Sequence, residues 1–358
     1  MKNILYIGPY RQSDEWGYTS KAFATLLAAL PDTNLVLQPV WFTGEETSVD
    51  VENLESYEMN NLIGSNDVLI QHGLPSYINY NGDFETNIAV LSLDSRIDAV
   101  DWINHLRLMD KVVVFSEYEK ELLIESGLAD DKIVALQFPP MFLMNRTKDL
   151  ALDLKGTVFY TTGSLDRKGG IREIVTAFLS TFSISDNVHL LITCRQSDIL
   201  QQIVTDLKSQ LGIFDVASYY PNIMVIDTVL PEVINYTHDI GDFFIDAGYN
   251  CIPSQNTLRA ITANSIPIIP DNIQLFKDYD FYIDTYDEIP IYGERAIPNL
   301  WSGEFTWKQP RTESIRQAMK RAVGCPETKE KTLQRLAAFK QGIFAVPNKA
   351  IKELLCIQ

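Results

Sequence analysis

The sequence is short of cysteine, of long apolar runs and of positive charge, and each shortage removes a class of protein. Its four cysteines, Cys194, Cys251, Cys325 and Cys356, lie far apart, without the CxxC or Cys/His spacing of a zinc site or a disulfide framework. Reduced thiols in a cytoplasmic protein are therefore expected. No apolar run approaches the roughly 18 residues that a spanning helix needs. The opening MKNILYIGPY lacks the length of a signal h-region and a small-residue cleavage site, so it reads as a first strand. A soluble chain, at most peripheral to a membrane, with no transmembrane segment, follows. The glycine-rich pattern of a dinucleotide site is missing too, since GPYRQS stands after that first strand. No Ser/His/Asp or Cys/His constellation can be assembled from residue order. Asp278-Tyr279-Asp280 imitates a metal-binding Asp-any-Asp pair, but it lies in an acidic, loop-like stretch without a histidine nearby, and no metal is expected there.

What is present begins with size. At 358 residues and 46% hydrophobic content, the chain is long enough for two ordinary domains, each with its own core. The formal charge of −17 is unevenly spread: Trp307 to Gln358 carries 11 Lys/Arg against 4 Asp/Glu, a net of +7, which leaves −24 on the rest. Such asymmetry marks either a surface for an anionic partner or a solvated helical face.

The apolar runs recur in a fixed rhythm. NILYIG, a helix from Thr19 to Leu30, NLVLQPV, DVLIQHG, NIAVLSL, KVVVFS, a helix from Glu117, and KIVALQF make the first series. Continuous Val/Ile/Leu runs separated by helical patterns are the signature of a parallel sheet covered on both faces. The pattern stops around Pro139-Pro140 and restarts with TVFYTTG, VHLLITC, NIMVIDTV, DFFIDAG and IPIIPDN. After Pro310 the chain reads as helices, ESIRQAMKRAV, TKEKTLQRLAAFKQGIF and NKAIKELLCI, with a break at Gly324-Cys325-Pro326. Two consecutive α/β halves put the default ligand site in the crevice between them.

One segment carries chemistry by itself. In FYTTGSLDRKGGIREIVTAF, Phe159 to Phe178, a strand ends at Gly163 and a turn holding Arg167, Lys168 and Gly169 opens directly into an amphipathic helix. Backbone N–H groups and the positive helix end suit phosphate oxygens there, Lys168 adds a point charge and Arg167 a fork.

This segment, with several others in order, resembles the retaining glycosyltransferases of family 4, whose fold is GT-B. Their basic pair grips the donor diphosphate: the Lys-Gly matches at Lys168-Gly169, while Ser164 stands where the family has Arg, with Arg167 as its substitute. KVVVFSEYEKELLIESGL resembles the last strand and helix of the family's first domain, with Ser116 as helix cap and Glu119 completing a capping box. DVLIQHG resembles the strand whose terminal histidine sits beside the donor sugar, which falls on His72. WGYTSKAF resembles the glycine-containing loop before the first helix that faces diphosphate and acceptor. Gly17 matches, Tyr18 replaces a second Gly, and Trp16 precedes them. LSLDS puts Asp94 and Ser95 over the same crevice. DFFIDAGYNCIPSQNTLRAITANSIPIIPD resembles the segment with two glutamates separated by seven residues, but Cys251 and Arg259 stand at those positions. Ser254, Gln255 and Asn256 at the helix start, and Arg259 one turn on, are the groups left to hold the donor.

The resemblance implies two Rossmann-like, doubly wound α/β domains facing a central cleft: an acceptor-side domain over residues 1–145, a nucleotide-sugar domain over 146–310, and helices over 311–358 packing back across the junction. It implies transfer of a sugar from a nucleotide-diphospho-sugar to an acceptor hydroxyl, with retention and with neither metal nor cofactor. His72, Arg167 and Lys168 would be the catalytic groups. Three alternatives stay open. A GT-B-shaped accessory subunit would follow from the missing glutamates, a polyanionic acceptor such as DNA from the basic tail, and a sugar-nucleotide 2-epimerase from the shared architecture.

Overall fold

The computed structural model describes residues 1–12, 15–42, 51, 53–91, 100–136, 150–163, 165, 169–194, 196–211, 219–227, 230–249, 254–273, 279–290, 306–345 and 347–356. The chain forms two compact units, one of residues 1–142, 289–307 and 341–358, the other of residues 143–288 and 308–340.

The first unit runs β1 (Lys2–Gly8), α1 (Glu15–Ala28), β2 (Thr33–Pro39), a short α2 (Glu55–Glu58), β3 (Val68–His72), β4 (Thr86–Val90), α3 (Val100–Leu108), β5 (Lys111–Val114), α4 (Glu117–Glu125) and β6 (Ile133–Ala135). The six strands make one parallel sheet in the order β2-β1-β3-β4-β5-β6. The continuous apolar runs are the central strands: Ile88, Ala89 and Val90 in β4, and Val112, Val113 and Val114 in β5, are all fully buried. Ser116 caps α4, its Oγ accepting from the Glu119 amide at 3.0 Å. The Glu119 carboxylate returns to the Phe115 amide at 2.7 Å, one residue before the partner a capping box uses.

The second unit runs β7 (Thr157–Thr162), α5 (Ile171–Thr181), β8 (Val188–Cys194), α6 (Ser197–Gln210), β9 (Asn222–Asp227), α7 (Pro231–Ile240), β10 (Phe243–Ile245), α8 (Gln255–Thr262), β11 (Ile266–Pro270) and β12 (Tyr282–Ile283). Its parallel sheet has the order β12-β11-β10-β7-β8-β9. Counted within the unit, that is the order of a dinucleotide-binding fold, whereas the first sheet follows the flavodoxin-like order. Chain-order reading distinguishes neither.

Two strands, β13 (Thr285–Pro290) and β14 (Thr306–Pro310), pair with each other, and three helices complete the chain: α9 (Thr312–Gly324), α10 (Pro326–Ala345) and α11 (Pro347–Leu354). Within the second unit α9 packs on α5, where Arg316 donates to the Ser180 carbonyl at 3.2 Å. Several cations of this basic segment bond to protein groups. Lys329 meets the Asp242 carboxylate at 2.7 Å, Lys340 the Thr262 carbonyl at 2.5 Å and Lys349 approaches Glu353 at 3.7 Å. Among the described residues no helix is long and apolar enough to cross a membrane.

Candidate functional site

In an open parallel sheet, the place to look is outside the carboxyl ends of the strands where the strand order reverses. Each sheet has one such reversal. In the second it falls between β7 and β10, paired through Phe159–Phe243 and Tyr160–Phe244.

β7 leads through Gly163 and the basic turn into α5, and β10 leads through Asp246 into α8. The two helix entries are tied together by a glycine. Gly170 caps α5 in the left-handed conformation, at φ +65°, and a Cβ there would overlap the carbonyl oxygen of Ala247, the residue after Asp246. Only a residue without a side chain lets the turn rest on that strand end.

Asp246, 8% exposed, organises the second entry. Its Oδ2 accepts from the hydroxyls of Ser254 at 2.6 Å and Thr257 at 2.9 Å, and its Oδ1 from the Gly248 amide at 3.1 Å. Ser254 in turn caps α8, accepting from the Thr257 amide at 3.0 Å. The carboxylate is thereby committed to protein donors, and two helix N-termini open beside adjacent strand ends. At Gly163, exposed at the end of β7, a Cβ would meet none of the described residues within 4 Å. A helix N-terminus presents unpaired backbone N–H groups and the positive end of its dipole to an anion.

In the first sheet the order reverses between β1 and β3. The concavity there is lined by Pro9, Trp16, Phe42, His72, Gly73 and Leu74. His72 closes β3 and is 4% exposed. Its Nδ1 shares a 2.8 Å hydrogen bond with the Tyr6 hydroxyl, which also meets Ser20 Oγ at 2.7 Å. The rings of Tyr6, Phe23 and Phe115 surround the imidazole at 5.9 to 6.1 Å. Burial among them pushes its pKa down to about 3, so the ring is neutral at physiological pH.

Several of the residues singled out from sequence stand in these two places. Trp16 and His72 line the first. Gly163, Gly169, Ser254, Gln255 and Asn256 belong to the second, with Gln255 fully buried and Ser254 and Asn256 half-buried. One placement needs correction. Trp16, Gly17 and Tyr18 are not in a loop before the first helix, because α1 begins at Glu15 and they form its first turn. Gly17 is needed where the helix start rests on the preceding turn: a Cβ would overlap the Gln12 carbonyl oxygen. Arg259 stands one turn into α8, where the sequence put it. It is 2% exposed, inside the unit, where its charge lowers the pKa of the buried His238. Ser164, Arg167, Lys168, Asp94, Ser95, Cys251, Asp278 and the Pro139-Pro140 connector lie outside the described residues.

Sequence reasoning passed over Gly170, Asp246 and Thr257 in the second unit and Pro9, Phe42, Gly73 and Leu74 in the first. The second Gly of Lys-Gly-Gly and the Asp closing DFFID were visible signals. The others have no sequence mark, since they meet only once strand order is set. Among the described residues no group of three His, Cys, Asp or Glu converges to hold a metal ion.

No family model matches the sequence, and neither does any curated protein. Solved structures do match over nearly the whole chain. A glycosyltransferase from Rickettsia africae has 11% identity and a TM-score of 0.62, covering 99% of this chain and 97% of that one. HepE of Anabaena, solved in complex with UDP and glucose, has 9% identity and a TM-score of 0.64, covering 99% and 100%. The α,α-trehalose 6-phosphate synthase of Burkholderia multivorans has 9% identity and a TM-score of 0.61, covering 99% and 96%. With two six-stranded parallel sheets in two α/β units, that decides the architecture. The fold is GT-B. At these identities the likeness extends to the fold and not to individual side chains, so the roles of residues in this GT-B chain rest on the geometry above.

Proposed function

We propose that the protein is a glycosyltransferase that takes a sugar from a nucleotide-diphospho-sugar, UDP-linked as in the HepE complexes, and passes it to an acceptor hydroxyl. One observation carries this reading: the paired entries of α5 and α8 at the second sheet's reversal, held together by Gly170 against Ala247. The donor diphosphate would lie before these helix starts, with Lys168 and Arg167 on its oxygens. As the glycosidic bond breaks, negative charge grows on the departing diphosphate. Fixed dipoles and cations at that position stabilise the transition state more than the ground state, which is what accelerates a reaction. Retention of configuration and independence of metal are part of the proposal through the resemblance to family 4.

The test is a thermal-shift and calorimetric titration with UDP, other nucleoside diphosphates and their sugars, followed by an assay for nucleoside diphosphate release. A ligand bound only by the folded state raises its stability. Two variants sharpen it. Gly163→Ala meets no atom of the described residues and should leave the melting temperature unchanged or slightly raised. If phosphate fills that space, the same variant should weaken UDP binding. Lys168→Ala should cost roughly 1.5–3 kcal/mol of UDP affinity, the worth of a lost charged hydrogen bond. Unchanged UDP affinity in both would remove the diphosphate from this turn.

A second reading has its own observation. Where family 4 carries its second glutamate, Arg259 is buried and offers no carboxylate to a ribose. A GT-B subunit that binds nucleotide-sugars without turnover would show saturable UDP-sugar binding and no diphosphate release with any acceptor.

A further inference from the structure

The His72 ring is neutral, so its two nitrogens share one hydrogen, and which of them carries it decides what the ring can do. The surroundings of Nδ1 bear on that choice. The Tyr6 hydroxyl oxygen lies 2.8 Å from Nδ1, 2.7 Å from Ser20 Oγ and 3.1 Å from the Ser20 carbonyl oxygen, and it has a single hydrogen to give.

Ser20 is fully buried, and its own hydroxyl stays paired by donating to the Tyr6 oxygen. The Tyr6 hydrogen is then left for Nδ1 or for the carbonyl. The carbonyl belongs to the interior of α1, where the amide four residues on is its regular donor, and 3.1 Å is long for a hydroxyl bond. Nδ1, at 2.8 Å, is the nearer acceptor and has no competing donor of that kind. Packing holds the hydroxyl pair in place: a Cβ at Gly8, the end of β1, would stand 2.7 Å from Ser20 Oγ and 2.9 Å from the Tyr6 oxygen. The second unit repeats the contact, with Tyr160 on His238 Nδ1 at 2.9 Å, but His238 lies within α7, whereas His72 closes β3 and lines the concavity.

We propose that Tyr6 is a positioning residue that acts through His72: its hydroxyl donates to Nδ1, the ring hydrogen sits on Nε2, and the imidazole meets the concavity as a hydrogen-bond donor. The role, though not the hydrogen bond, rests on the glycosyl-transfer reading. In that reaction the acceptor hydroxyl gives up a proton, and a ring nitrogen that already carries hydrogen cannot take it. His72 is thereby removed as the base. Its fixed N–H instead orients an oxygen of the reactants, a task that a ring free to change tautomer would perform only part of the time.

Long-range proton–nitrogen correlation NMR on the labelled full chain, in mildly alkaline buffer and without any sugar nucleotide, reads the tautomer directly. The chain has four histidines, and His72→Gln identifies the signals of His72. His189 serves as reference, because its Nε2 meets the Lys155 carbonyl at 2.8 Å and a carbonyl only accepts. His72 should match it, with Nδ1 downfield as a bare nitrogen and Nε2 upfield as a protonated one. In Tyr6→Phe the two nitrogens should move toward the average of both tautomers. In the same variant kcat for UDP release from UDP-glucose should fall about tenfold, the worth of one hydrogen bond, with KM changed less than about twofold. An Nδ1–H ring in the wild type, an unchanged pattern in folded Tyr6→Phe, or an unchanged kcat in that variant would overturn the proposal. The wild-type spectrum decides even where Tyr6→Phe fails to fold. An Nε2–H ring in a protein that releases no UDP keeps the hydrogen-bond assignment and removes the transferase reading, and release from a protein with an Nδ1–H ring does the reverse.

Discussion

Replacing Gly170 with alanine is expected to destabilise the second unit by about 2–5 kcal/mol and to abolish UDP binding at micromolar concentrations. Two costs add. An L-residue held at φ +65° loses roughly 1–2 kcal/mol to the clash of its Cβ with the following carbonyl. The same Cβ would overlap the Ala247 carbonyl oxygen, and forcing atoms into a packed contact costs typically about 1–3 kcal/mol. Neither neighbour yields cheaply, because Ala247 follows β10 and Asp246 beside it is fastened to Ser254, Thr257 and Gly248. Relief therefore means moving the entry of α5 away from that of α8, which would disassemble the proposed diphosphate site. Urea denaturation followed by circular dichroism, with Gly163→Ala as the control glycine, measures the first effect. A Gly170→Ala protein as stable as that control would show that the turn does not rest on the strand end.

Acidification from pH 6.5 to pH 5 should remove roughly 3 kcal/mol of stability in total, shared about equally by the two units. His72 in the first unit and His238 in the second both have pKa values pushed down to about 3, chiefly by burial, with the Arg259 charge adding to the effect at His238. Each is tied through Nδ1 to a buried tyrosine, Tyr6 at 2.8 Å and Tyr160 at 2.9 Å. The unfolded chain takes up a proton on each near pH 6.5, while the folded chain resists until about pH 3. Stability is therefore complete above the unfolded pKa and falls as pH is lowered, at up to about 1.4 kcal/mol per pH unit per histidine. The Glu58 and Asp67 carboxylates, lowered by Arg11 and by Ser65 and Asn3, follow the same sign but act below this window. Asp239, raised by burial, opposes them. His72→Gln and His238→Gln should each flatten the pH dependence of one unit's melt. A wild-type protein equally stable at pH 6.5 and pH 5 would mean that these imidazoles take up protons freely in the native state.

Much of this architecture is legible along the chain. Runs such as KVVVF and NIAVL could only be strands buried on both faces, and their spacing by helical patterns called for parallel α/β layers. Ser116 and Ser254 stood at helix starts for the same local reason in sequence and structure. Where the reading went astray, distance in sequence was the cause. The helix containing Gly17 starts earlier than its apolar pattern suggests, because the support of its first turn is the Gln12 carbonyl, a contact no periodicity records. Arg259 read as a donor-holding cation one turn into a helix, and nothing local showed that this face of α8 turns inward, where Arg259 lies buried near His238.

By itself, then, the sequence determined the elements, their α/β class and the basic, glycine-rich turn after β7, because backbone preference and the period of burial are properties of a dozen neighbouring residues. Strand order belonged to the tertiary structure. It alone set β7 beside β10 and β1 beside β3, and with that brought Gly170 to Ala247 and Phe42 to Gly73. Such meetings are long-range packing choices, fixed by which faces exclude water together, and no local pattern encodes them.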